Sequence, residues 1–173
     1  MLILVDENDR VVGYLSKGLS HDGEGALHRA FSLFVFNREG EFLLQQRSAG
    51  KRLWSLFWSN SCCSHPREGE TMDEAVRRRL LQELRLESNL QFLYKFQYQA
   101  SYKDIGSESE ICWVYIGVTC DEARPNPNEV EDHRWVTPAR LDEEMSATPE
   151  IFTPWFQQEW QRVREADLSA LAL

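Results

Sequence analysis

The sequence predicts an α/β protein, a single domain over residues 1–173 with mixed β-sheet flanked by helices. Three observations lead there. Apolar, β-rich runs outnumber helical ones, one long segment has helical rather than alternating periodicity, and no repeat, low-complexity stretch or linker divides the chain. At 173 residues the chain is long enough for one substantial core and short for two. Its 42% hydrophobic and 27% charged residues are the balance expected of a soluble globular protein.

The elements read in order as follows. Leu2–Val5 and Val11–Leu15 form a hairpin about the polar turn at 7–10. Residues 16–25, rich in Gly, Ser and Asp, read as a loop in which Lys17 and His21 stand out. Residues 27–37 are β-rich and mostly apolar, a central strand with His28 near its start. A turn at 38–40 leads to a second strand at 41–46, and 47–58 reads as a loop. In the run 72–84, Met72, Ala75, Val76, Leu80 and Leu84 recur at helical spacing and form a buried face. Arg79 and Glu83 lie on its flank, four apart and so adjacent. Residues 92–102 alternate Phe92, Tyr94, Phe96 and Tyr98, a strand with one buried face. A turn at 103–106 leads to its partner, 109–119. Residues 121–128 form a loop before a last strand at 129–136. Thr137-Pro138 starts a helix, and 154–173, with Trp155, Phe156, Trp160, Val163, Leu168 and Leu171, forms a third.

Several functions are excluded by composition. A net charge of -9 argues against a nucleic-acid partner, which needs a basic surface. No apolar run approaches the roughly 20 residues that span a bilayer, so no membrane partner is expected. The amino terminus lacks the basic start and apolar core of a signal peptide. Four cysteines are too few for a disulfide scaffold, so a cytoplasmic protein with reduced thiols is expected, and a monomer is favoured. Cys62, Cys112 and Cys120 read as packing residues, with Cys62 pointing away from Cys63.

Residues 60–84 concentrate the chemistry. A cysteine pair, a histidine and a glycine run into a helix bearing acids and arginines. Helix starts and basic side chains hold anions while carboxylates hold hard cations, a combination suited to a metal-bound phosphate. His21, His28 and His65 stand beside these features. Glu108 and Glu110 share a strand face, where two acids need solvent or a cation. Together they make a possible site of three His and two Glu for a divalent ion such as Zn, Mn or Fe, and more than four ligands favours octahedral geometry.

Residues 64–86 resemble a degenerate Nudix box. Ser64 stands for its first Gly, while Glu70, Arg78, Leu80 and Glu83 match; Arg79 and Gln82 replace acids, and Arg85 or Leu86 falls where Gly is expected. The run Asn60-Ser61-Cys62-Cys63-Ser64-His65-Pro66 resembles the cysteine motif of type I isopentenyl-diphosphate isomerases. That resemblance runs from about Lys17 to Trp160 and implies a Nudix-like domain acting on a small-molecule diphosphate. It implies Cys63, Glu110 and Tyr98 as catalytic groups, with Lys17, Arg47, Lys51, Arg79 and Trp155 facing substrate. It further implies Mn or Zn on His21, His28, His65, Glu108 and Glu110, and a diphosphate-bound Mg held by Glu83. A Nudix diphosphohydrolase of nucleotides would want acids at 79 and 82. A non-catalytic Nudix-fold binding module would have no reason to keep Cys63, His65 and Glu110 with four basic residues.

Overall fold

Among the described residues, 1–166 of the computed structural model, nine strands and four α-helices assemble around one central strand. That strand is β3 (His28–Phe36), in which every residue but Arg29 is buried. Along one edge it pairs in parallel with β8 (Gly106–Val118), from His28 opposite Glu110 to Phe36 opposite Val118. Its other edge meets, antiparallel, β1 (Leu2–Val5), then β6 (Cys62–Ser64), then β4 (Phe42–Arg47). The long strand β7 (Gln91–Tyr102) pairs with β8, while β5 (Trp58–Ser59) and β9 (Val130–Val136) flank β4 and β2 (Val11–Leu15) pairs with β1. A strand buried on both faces reads as a near-continuous apolar run, which is what 27–37 presents.

Alternation along β3 sorts its side chains between two layers. Phe31, Leu33 and Val35 pack with Cys62 and with Ala75, Val76, Leu80 and Leu84 of α2 (Met72–Leu84). Ala30, Phe34 and Phe36 pack on the opposite face, where α3 (Pro138–Ala147) supplies Leu141 and α4 (Pro154–Val163) supplies Trp155, Phe156 and Trp160. Helix α2 starts on a capping box: Thr71 Oγ1 accepts from the Glu74 N–H, and the Glu74 carboxylate accepts from the Thr71 N–H. It ends on Arg85 in the left-handed conformation, φ 53°. That is one of the two positions where the box that residues 64–86 resemble would carry Gly, and a side chain in that conformation costs roughly 1–2 kcal/mol.

Five details differ from the sequence reading. Residues 16–25 are not all loop, because Lys17–Ser20 make one helical turn, α1, with His21 as its C-cap. The short strands β5 and β6 are absent from the sequence reading, β5 beginning at the last residue of the segment expected to be a loop. In both cases the element is too short to display a period. Phe92 does not share the face of Tyr94, Phe96 and Tyr98: a bulge between Phe92 and Tyr94 turns it over, and it packs on Trp113 and Tyr115 instead. Cys120 is exposed, since it lies beyond the end of β8. There are four α-helices rather than three; α4 ends at Val163, and Leu168 and Leu171 lie outside the described residues.

Candidate active site

The strand order β6–β3–β8–β7 assembles the pocket. Residues opposite one another on neighbouring strands share a face. His28 lies opposite Glu110, Tyr98 opposite Glu110, and Ser32 opposite Cys63. His65 follows β6 by one residue. His21 is delivered by α1, and its carbonyl accepts the Ser107 N–H at the start of β8 (3.1 Å). Gly106 is required beside it, since a Cβ there would collide with that carbonyl oxygen. Lys17, Arg47, Lys51, Cys63, His65, Arg79, Tyr98, Glu108, Glu110 and Trp155 all line this one pocket. A larger groove of about 600 Å³ beside Leu80 and Leu81 carries none of them.

One wall is a cluster of potential metal ligands. The ligand atoms of His21, His28, His65, Glu108 and Glu110 all lie within 4.8 Å of one another. His65 Nε2 is 2.8 Å and His28 Nε2 3.4 Å from Glu110 Oε1, and His21 Nε2 is 3.0 Å from Glu108 Oε2. His28 Nδ1–H donates to the Ala26 carbonyl (2.7 Å), which leaves Nε2 free to ligate. Burial, with the neighbouring His28 and Lys17, holds His65 well below the ordinary imidazole range. Glu108 Oε2 is buried and accepts no hydrogen bond among the described residues, despite its nearness to His21. Two carboxylates facing three imidazoles, with one carboxylate oxygen unsatisfied, fit a divalent cation, and the cluster could hold one.

Tyr98 completes that wall. Its hydroxyl donates to Glu110 Oε2 (2.6 Å). Burial pushes the Tyr98 hydroxyl well above its usual range, so it keeps its proton. Burial also works to raise the Glu110 carboxyl, but the hydrogen bond and charge of His28, with the Tyr98 hydroxyl, outweigh it and hold it below the carboxylate norm.

Cys63 stands on the other wall, half-buried, while its neighbour Cys62 points into the opposite layer beneath α2, as expected. The Cys63 thiol donates to Asn60 Oδ1 (2.6 Å), and Trp155 Nε1–H donates to Cys63 Sγ (3.1 Å). Asn60 is oriented by its own amide, which donates to the Leu33 and Cys62 carbonyls (3.4 and 3.0 Å). Burial, reinforced by the nearby Glu159, pushes the Cys63 thiol up to about 12.

The basic residues gather at the mouth. Lys51 pairs with Glu129, and Arg79 with Glu83 and Glu129. Burial tends to raise the Glu129 carboxyl, but Lys51 and Arg79 together hold it at about 2. Arg79 Nε is buried without a partner among the described residues. Arg47 donates to the Leu53 and Trp54 carbonyls (both 3.0 Å) and lies over the Trp155 ring, 5.3 Å from its centre. Lys17 is exposed at the rim. Glu83, expected to hold magnesium, is 1% exposed and lies apart from the five-residue cluster, tied to Arg79. Sequence reasoning gave no role to Asn60, Ser32 or Glu129. Only Asn60 had a signal, its place in the cysteine motif.

Residues 26–156 match the family described as NUDIX domain. The chain belongs to the Nudix family. Within it, the sequence is 44% identical over 161 residues to isopentenyl-diphosphate Delta-isomerase 1 of Photorhabdus laumondii, covering 92% of each chain. It is 40% identical over 156 residues to isopentenyl-diphosphate Delta-isomerase of Nocardia farcinica, covering 90% of this chain and 89% of that one. Among solved structures, DR0079 from Deinococcus radiodurans superposes with a TM-score of 0.75 at 26% identity, covering 93% of this chain and 97% of that one. A MutT protein from Methanosarcina mazei shares the fold, with a TM-score of 0.62 at 18% identity over 81% of this chain and 96% of that one. No helix among the described residues is long and apolar enough to cross a membrane.

Proposed function

We propose that this chain, as one domain over 1–173, interconverts isopentenyl diphosphate and dimethylallyl diphosphate. The observation that carries the reading is the placement of Cys63 and the Tyr98–Glu110 pair on strands either side of β3, facing one pocket beneath four basic residues. The two substrates differ by one double-bond position, so one proton must be added and another removed. Donor and acceptor on separate walls suit that task. The hydrogen-bonded Glu110–Tyr98 pair supplies a proton to the terminal carbon of isopentenyl diphosphate. Cys63 takes a proton from the methylene carbon on the other side of the cationic centre, and in the reverse direction the roles exchange.

The intermediate is a tertiary carbocation. The ring of Trp155, which lines the pocket, offers it about 2 kcal/mol or more when desolvated. Arg79, Lys51, Lys17 and Arg47 hold the diphosphate, which displaces Glu129 from Lys51 and Arg79. His21, His28, His65, Glu108 and Glu110 would hold Mn or Zn, and Glu83 a Mg on the diphosphate; the ion on the five-residue cluster would supply charge to order the Glu110 carboxylate. Incubation with isopentenyl diphosphate and magnesium tests the reading. An acid-labile allylic diphosphate is expected, and release of inorganic phosphate or diphosphate in its place would refute it.

A further inference from the structure

Two site residues, Lys17 and His21, ride on an element that cannot hold itself. Helix α1 is a single turn of four residues, its N-cap Ser16 makes no side-chain cap bond, and only Ser20 in it is buried. A helix so short is not stable on its own in water, so ties from outside decide where its residues stand. Its C-terminal end has three. The His21 carbonyl accepts the Ser107 N–H (3.1 Å), and the Gly23 carbonyl accepts the Ser107 hydroxyl (2.8 Å). The Glu24 carbonyl accepts the Gln99 side-chain amide (2.8 Å). All three come from β7 and β8, and none reaches the loop that carries Lys51.

Arg52, the residue after Lys51, spans that gap. Its Nη1 donates to the Gly18 carbonyl inside α1 (3.1 Å). Its Nη2 donates to the Asp22 carboxylate just beyond α1 (2.5 Å) and to the Ile105 carbonyl in the turn before β8 (2.9 Å). Among the described residues, no other hydrogen bond joins residues 48–57 to residues 16–25. One planar guanidinium can meet three acceptors on two segments, which the compact ammonium of Lys cannot. Such a tie answers an electrostatic need. Lys17 and Lys51 line one pocket with Arg47 and Arg79, so in the free protein like charges push α1 and the loop apart. Arg52 itself does not line that pocket.

We infer that Arg52 is a positioning residue, which ties α1 to the Lys51 loop and to the β7–β8 turn. The tie makes Lys17 converge with Lys51 on the diphosphate and sets His21 beside Glu108, 3.0 Å away, for the metal ion. The diphosphate half rests on the isomerase reading, and the metal half rests on the five-residue cluster alone. The effect is local. The Arg52 and Asp22 side chains are about half exposed, and an ion pair so exposed contributes little to global stability. What the tie supplies is order, present before the substrate and the ion arrive.

Arg52→Ala and Arg52→Lys test it against the wild type. In Arg52→Ala, KM for isopentenyl diphosphate should rise about tenfold, because α1 is then ordered only as substrate binds. At saturating substrate and zinc, kcat should stay within about twofold, since Cys63, Tyr98 and Glu110 are set by the pairing of β6, β7 and β8. Zinc titrated into the metal-free protein should bind about tenfold more weakly, as when a group that orients a ligand is lost. Melting temperature should move by about 2 °C or less. Arg52→Lys keeps the charge without the fork, so it should recover about threefold of that loss at most. Full recovery would show that charge alone sets KM, and it overturns the tie. So does an Arg52→Ala variant that keeps either KM or zinc affinity within about twofold of wild type. A melting temperature lower by about 5 °C or more, with kcat falling alongside, assigns Arg52 to global stability and overturns it too. A wild type that makes no allylic product overturns the isomerase reading instead, and zinc affinity then decides the tie by itself.

Discussion

Around the two carboxylates of β8, three imidazoles from α1, β3 and the end of β6 crowd within 4.8 Å and leave a buried oxygen unsatisfied among the described residues, whereas on β6 itself the Cys63 thiol sits among neutral partners that already meet its needs. The first wall is incomplete without a cation, and the second is complete as folded. The difference teaches that equal burial makes unlike demands: charge has to be neutralised, while a thiol needs only a donor and an acceptor. Loss of the ion should therefore damage one wall and spare the other.

The largest expected effect separates them. Cys63→Ala should cost about 10²–10⁴-fold in turnover, the usual contribution of a positioned proton-transfer group, with bound metal unchanged by elemental analysis. An active Cys63→Ala beside an inactive Cys62→Ala would reverse the choice within the pair. His28→Ala or Glu108→Ala should lose metal and activity together. Full metal occupancy in either variant would remove that residue from the ligand set.

Arg79→Glu probes the mouth that the two walls share. Removing one partner of a buried charge pair costs about 2–5 kcal/mol, roughly thirty-fold to several thousand-fold in affinity, and reversal should cost no less. The Michaelis constant for isopentenyl diphosphate measures it. A near wild-type value would leave the diphosphate to Lys17, Arg47 and Lys51, and a gain of nucleotide hydrolysis would favour the diphosphohydrolase alternative. The smallest effect is expected for Cys62→Ala. Cys62 faces the α2 layer, so turnover should stay within about twofold while stability drops by about 1 kcal/mol in denaturant titration.

Much of this contrast was legible in the sequence. Period-two alternation put Glu108 and Glu110 on one face, and helical spacing set Arg79 beside Glu83. The cysteine motif and the scarcity of histidine pointed to Cys63 and to His21, His28 and His65. What escaped depends on long-range register and on helix rotation. Ser32 stands beside Cys63 only because β6 pairs with β3, and Glu159 reads as one polar residue in an amphipathic helix although it is fully buried once α4 is laid on the sheet. The partnership of Glu129 with Lys51 and Arg79 crosses from the approach to β9 to a loop and a helix, and no local pattern encodes it.

The most direct test of the two-wall account is conversion of isopentenyl diphosphate in deuterated water, followed by magnetic resonance of the product. The account predicts dimethylallyl diphosphate carrying solvent deuterium in its newly formed methyl group. An allylic product with no solvent deuterium would contradict it, because hydrogen would then have moved within the substrate rather than from the Tyr98–Glu110 wall.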